Sequence, residues 1–180
     1  MLRSTRDRFL LALQYKDYRA LWIANMYAGS AAWSLIIARG WLAYDMTGGS
    51  SLWAGLVTFA AMIPLLFIPP FAGLLADRMD RRKILAWVFA FQVISNMALA
   101  VLAITGVIHV WHITALSLVN GINRAVQIPT SQALVPNLVP PDNLTNAVAL
   151  SAATLHASRL IGSLLIAPLV LTVGTSWAFT

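Results

Sequence analysis

Cysteine is absent from the 180 residues, and so is glutamate. Without thiols there are no disulfides, no thiolate metal sites and no cysteine nucleophile. Acid is limited to six aspartates, and the whole charged fraction is 10%, too little to cover a soluble domain of this length. There is no glycine-rich phosphate loop, no nucleophile elbow and no pair of carboxylates set for acid–base work. Enzymatic chemistry therefore has nothing to run on, and no cofactor or metal is implied. The start also does not read as a cleavable signal peptide. The apolar stretch from Phe9 to Leu13 is too short, and no small-residue cleavage site follows it. Residues 1–20 read instead as a cytoplasmic leader.

What is present is hydrocarbon: 59% of residues are hydrophobic. A spanning helix needs about 20 mostly apolar residues to cross about 30 Å of hydrocarbon. On that ruler residues 21–180 form a transmembrane domain, with spans at about 21–44, 52–76, 84–105, 110–134 and 145–173. Residues 175–180, "TSWAFT", read as the opening of a sixth span. The expected fold class is an all-α polytopic membrane protein with five complete spans and the start of another. From an unfinished count the chain is expected to be a fragment.

Net charge is +6, but the basic residues sit in blocks that flank apolar runs. Orientation in a bilayer explains that placement better than nucleic acid does. Five precede the first span (Arg3, Arg6, Arg8, Lys16, Arg19) and four follow the second (Arg78, Arg81, Arg82, Lys83). The turns "DMTGGSS" and "TGVIHVWH" on the other side contain none. The positive-inside rule puts the N-terminus and the 77–83 turn in the cytoplasm. Trp22 and Trp87 fall at inner boundaries, and Trp41, Tyr44, Trp53, Trp111 and Trp177 at outer ones.

Six of the 18 charges lie between Asp77 and Lys83, in "GLLADRMDRRK". A basic cytoplasmic turn accounts for the arginines but not for the order: Gly73, Ala76, Asp77, Arg78, Asp80, Arg81, Arg82, Lys83. That order resembles the signature loop between the second and third helices of the major facilitator superfamily, G-x-L-A-D-R-x-G-R-R/K, with Asp80 at the second glycine. The variant is similar to the form found in the bacterial exporter branch that includes drug and siderophore efflux proteins. Physically, Gly73 would permit close backbone approach, Asp77 would accept from orphan N–H groups at another helix's N-terminus, and the arginines would pair with carboxylates or lipid phosphates. The resemblance implies a conformational latch formed by Gly73, Asp77, Arg78, Asp80, Arg81 and Arg82. It extends to "ARGWLAYDMTGGSSLWAGLV" (38–57), "PTSQALVPNLVPPDNLTNAVAL" (129–150) and "SRLIGSLLIAP" (158–168). Ser131 stands where that branch has Arg. Ser163 stands where it has the Pro of a Gly-Pro pair, so no helix-bending role is carried over.

The resemblance implies a secondary transporter, an exporter of small organic molecules that rocks two halves around a midplane site. The chain would be most of the N-terminal half, in a bacterial inner membrane. Its partners would be lipid, a small and in one reading anionic substrate, and the missing C-terminal half. Alone it would not transport. A non-transporting membrane scaffold and a permease subunit of a larger complex remain the alternatives.

Charge at mid-membrane costs roughly 2.5–3.5 kcal/mol on insertion scales, so three arginines need a reason. Arg39 lies five positions before Tyr44, about 7–8 Å along a helix, and is expected to snorkel outward or to serve packing. Arg124 and Arg159 lie too deep for that. Polar neighbours such as Asn120, Asn123, Gln127 or His156 would satisfy them, or carboxylates in the missing half would, or they line a cavity and attract an anionic or carbonyl-rich substrate. Arg124, Arg159, His156, Asn123 and Gln127 are the candidate cavity residues. Small residues at 149, 153 and 157, and Ser158 with Gly162, predict a close helix contact on the fifth span. Pro64, Pro69, Pro70 and Pro129 predict bends in the second and fourth spans.

Overall fold

The computed structural model describes residues 11–173, with side chains through Ile166. Arg3, Arg6, Arg8, Trp177 and the sixth-span segment lie outside the described residues. A short 3-10 turn, Leu11–Gln14, leads into α1 (Lys16–Met46). The next apolar run is broken into α2 (Ser51–Met62), α3 (Pro64–Phe67) and α4 (Pro69–Arg78). Then come α5 (Arg81–Ile104), α6 (Val110–Leu134) and, after a 3-10 turn at Val135–Asn137, α7 (Pro141–Val173). Among the described residues there is no strand. Of the segment expected as a leader, residues 16–20 belong to α1.

The breaks have local causes. Pro64 and Pro69 each open a helix, because proline has no N–H to donate and its ring clashes with the preceding turn. The axis bends by 52° between the Ser51–Phe67 and Pro69–Arg78 pieces. Pro129, by contrast, sits inside an uninterrupted α6. Ser163 returns its hydroxyl to the Arg159 carbonyl at 2.9 Å, and α7 runs through it unbroken. The tight turn after α1 uses Gly48 and Gly49, and the turn after α5 uses Gly106, all at positive φ, where a side chain would be strained.

By length and composition, α1, α5 and the 141–166 part of α7 are each long and apolar enough to cross a membrane, and the bent pair is a fourth if counted as one span. The expectation of five complete spans is met only to that extent. At 25 residues α6 is long enough to span. Its polar side chains, including Asn120, Asn123, Arg124, Gln127 and Gln132, keep it out of that set. The reason is position, since α6 packs against α2, α3, α4, α5 and α1 and its polar residues other than the exposed Gln132 are buried or half-buried there.

Large apolar side chains such as Leu66, Phe71, Trp87 and Leu164 are exposed, while the core is rich in alanine. Small residues inside and large ones outside is the arrangement of helices packed in lipid. The tightest packing pairs α1 with α7. There Gly29 meets Ser158, and Gly162 lies against the Ser30 carbonyl. Ser34 Oγ donates to the Gly162 carbonyl at 2.8 Å. The contact face of α7 is thus Ala147, Thr154, Ser158 and Gly162. Ala149 and Ala153, expected on it, are exposed. Both alanine and serine stripes fit the small-residue pattern, and only the helix's rotation chooses between them.

Each end of the bundle has its own seal. At one end Ala12 is buried with Tyr18, Val135, Val139 and Ala147. Tyr18 Oη donates to the Ala147 carbonyl at 2.8 Å, and Asn143 Nδ2 donates to Tyr15 Oη at 2.9 Å. The 77–83 turn lies at this same end, because Arg82 Nη2 pairs with Asp17 at 2.7 Å. At the opposite end Trp53 and Trp111 stack edge to face, 4.9 Å apart, above the Leu42, Ala43, Val57, Leu99 and Ile113 cluster.

Candidate functional site

Two regions concentrate chemistry: the charged turn at one end and a polar layer in the middle of the bundle. In the turn, Arg81 does most of the joining. Its Nη1 donates to the Ala133 carbonyl, its Nε to the Ala76 carbonyl at 3.1 Å, and its Nη2 to Asp77 Oδ1 at 3.2 Å. The Nη1 bond is short, at 2.6 Å. Ala76 and Ala133 lie in the last turns of α4 and α6, where carbonyls have no intrahelical partner and the dipole favours a cation. One guanidinium therefore closes two helix ends. Asp80 caps α5, accepting from the Arg82 N–H at 2.9 Å.

Asp77 is exposed and pairs with Arg81. Among the described residues it reaches no helix N-terminus. Arg78 is exposed and makes no hydrogen bond or ion pair with any described residue. A side chain on Gly73 would meet open space, so the close approach expected there has no counterpart among the described residues.

In the bundle, the guanidinium carbons of Arg124 and Arg159 lie 4.5 and 4.6 Å from the ring centroid of Trp33. Each cation sits over the negative face of the indole. Arg124 comes from α6 and Arg159 from α7, so the two deep arginines meet on a residue of α1. Sequence reasoning did not single out Trp33. Its signal was available, because it alone among the seven tryptophans falls at no predicted membrane boundary.

Beside this cluster is a cavity of about 60 Å³, whose wall includes Tyr18, Trp22, Asn25, Arg124, Gln127 and Ser131. Asn25 Oδ1 accepts from Gln127 Nε2 and Ser131 Oγ, each at 3.2 Å. The Trp22 indole N–H is buried and unpartnered among the described residues, which leaves one donor on this wall unspent. Of the predicted cavity residues, Arg124 and Gln127 line this space and Arg159 joins through Trp33. Asn123 is buried on α6 but lines neither this cavity nor the smaller one beside it, and His156 is exposed on α7. Asn25 and Ser131, which sequence reasoning did not select, hold the polar wall together.

Arg39 departs from expectation. It does not snorkel: it is 2% exposed, and its Nη2 donates to Asn96 Oδ1 at 2.9 Å. Asn96 on α5 holds it inside, so of the two roles expected for it the packing role is the one seen.

Residues 10–180 match the family model described as "Transmembrane secretion effector". Among curated proteins the chain is 28% identical over 114 residues to the staphyloferrin A transporter of Staphylococcus aureus, covering 63% of this chain and 29% of that protein. It is 25% identical over 113 residues to macrolide efflux protein A of Streptococcus pyogenes, covering 63% and 28%. It is 27% identical over 130 residues to an uncharacterized MFS-type transporter of Bacillus subtilis, covering 72% and 30%. The matched stretch thus spans less than a third of the length of these relatives. No solved structure matches.

Proposed function

Because this chain belongs to the transmembrane secretion effector family of the major facilitator superfamily, we propose that the whole protein exports a small organic molecule of drug or siderophore type by alternating access. The exporter-type relatives favour that direction. Within the reading, five spans and the start of a sixth form most of one half, and the second half lies on sequence beyond this chain. The clasp of Asp77, Arg78, Asp80, Arg81 and Arg82 holds one state of the cycle from the cytoplasmic face of a bacterial inner membrane.

One observation carries the substrate assignment: two guanidiniums converge on Trp33 beside a mostly apolar cavity whose wall also carries amides and hydroxyls. No aspartate lies in the helices between their end turns to neutralise them. Such a site favours a ligand that offers a carboxylate or several carbonyls to the cations and an apolar body to Trp33. Arg124 and Arg159 bind the acidic group; Trp22 and Gln127 supply neutral donors. A conformational change then follows from differential binding in the two states.

Replacing Arg159 with Leu in the whole protein tests this. One lost charge-assisted contact is worth about 1.5–3 kcal/mol, so KM for an acidic substrate is expected to rise about 10- to 100-fold at unchanged membrane expression. Arg124→Leu is expected to behave alike. Unchanged transport in both variants overturns the assignment.

Orientation has its own test, simplified by the absence of cysteine. Val107→Cys, exposed in the turn between α5 and α6, is expected to react with an impermeant maleimide on intact cells. Met79→Cys, exposed at the other end, is expected to react only after the membrane is opened. The reverse pattern inverts the topology.

A further inference from the structure

Arg124 divides two cavities. On its other side from the amide-walled space is a smaller one of about 20 Å³, lined among others by Arg39, Gln92, Asn120 and Arg124. Arg39 is almost wholly buried, yet its Nε–H has no hydrogen-bond partner among the described residues. Its single side-chain bond, to Asn96, is to a neutral amide. Gln92, half-buried on α5, makes no hydrogen bond to any described residue, so its amide donors are also unspent. Asn120 returns one donor to the Leu116 carbonyl at 2.8 Å.

Every element packed around this space offers a cation, a neutral amide or an apolar wall. Arg39 comes from α1, Gln92 from α5, Asn120 and Arg124 from α6, with Ala61 of α2 closing the side. Among the described residues lining it none offers a carboxylate. Arginine stays protonated at any accessible pH, so it cannot escape the burial cost by losing its charge. A water would satisfy the Nε–H and leave both positive charges uncompensated. An anion satisfies the hydrogen bonds and the charge together.

We propose that Arg39, Arg124, Gln92 and Asn120 form a binding site for a single small monovalent anion, of the size and charge of chloride. The space exceeds what one water needs and is too small for phosphate or sulfate with their shells of oxygens. The bound anion ties α1, α5 and α6 together and screens Arg39 from Arg124. The two spaces share Arg124, but Arg39, Gln92 and Asn120 line only the smaller one, so a readout at Arg39 does not depend on the substrate reading.

The test uses the full-length protein in detergent, with thermal unfolding followed while sodium gluconate is exchanged for sodium chloride at constant ionic strength. At a hundredfold excess over Kd, the melting temperature is expected to rise by about 5–11 °C, saturably, with bromide matching chloride and sulfate having no effect. Arg39→Met is expected to lose the halide increment. Should that variant fail to fold, Gln92→Leu is expected to shift the half-saturating chloride concentration upward about 3- to 10-fold while folding normally. Arg159→Leu is expected to keep the full increment, which separates a failure here from a failure of the substrate assignment. Identical melting in chloride and gluconate, or a halide increment that survives Arg39→Met, overturns the proposal.

Discussion

Gly162→Val is expected to lower the melting temperature by about 6–12 °C and to cut the yield of monodisperse protein, at a cost of about 3 kcal/mol. The Cβ of any larger residue at 162 would run into the Ser30 carbonyl, and would also stand 3.0 Å from Trp33 Cβ and 3.1 Å from the Ser34 N. Most of these obstacles are α1 backbone, which has no rotamer to change. The helices would have to separate, breaking the Ser34–Gly162 bond and displacing Trp33 from beneath Arg124 and Arg159. Substrate affinity is therefore expected to fall with stability, although position 162 touches no substrate. Gly55→Ala is the control: its Cβ meets open space, so it is expected to be neutral or stabilising by about 0.5–1 kcal/mol through helix propensity. Melting of Gly162→Val at the wild-type temperature would show that α1 and α7 are not packed as described.

Arg81→Ala is expected to cost about 2–3 kcal/mol and to uncouple the α4–α5 turn from the end of α6. The side chain is only 27% exposed, so water does not fully replace it at the Ala76 and Ala133 carbonyls. Its partner Asp77 is 71% exposed, and that ion pair contributes little by itself. The carbonyl contacts set the effect. Arg81→Lys is then expected to recover less than half of the loss, because an ammonium lacks the planar fork that reaches three acceptors. Arg78→Ala, two residues beyond Ala76 and without a described partner, is expected to leave melting within about 0.5 kcal/mol of wild type. Thermal unfolding of the three variants in one detergent reads the comparison directly. Equal effects at 78 and 81 would mean that charge number, not the two closed helix ends, stabilises this turn.

The 77–83 turn also shows how far residue order alone can carry an argument. Its charge, its place between two apolar runs and its likeness to a transporter loop were all legible. Which arginine makes the structural contacts was not, since Arg78, Arg81 and Arg82 are equivalent by type. Helix phase decides it, directing Arg81 toward α6 and Arg82 toward Asp17. The same limit applied to α1 and α7, whose apolar residues surround the helix with almost no amphipathic signature. In a soluble protein the polar face would have marked the outside. In lipid both the packed and the exposed face are apolar, so periodicity could not tell Ala149 from Ser158.

Hydropathy, proline and charge placement were sufficient to establish an all-helical membrane chain, to locate Val110–Leu134, and to put the bend near Pro64 and Pro69, because these are properties of consecutive residues. Three outcomes belong to the tertiary structure alone: Arg39 turned inward to Asn96, Trp33 beneath two arginines from other helices, and Arg81 across two helix ends. Each joins residues more than 50 positions apart or selects one of several identical side chains, and only the rotation and approach of packed helices fixes that choice.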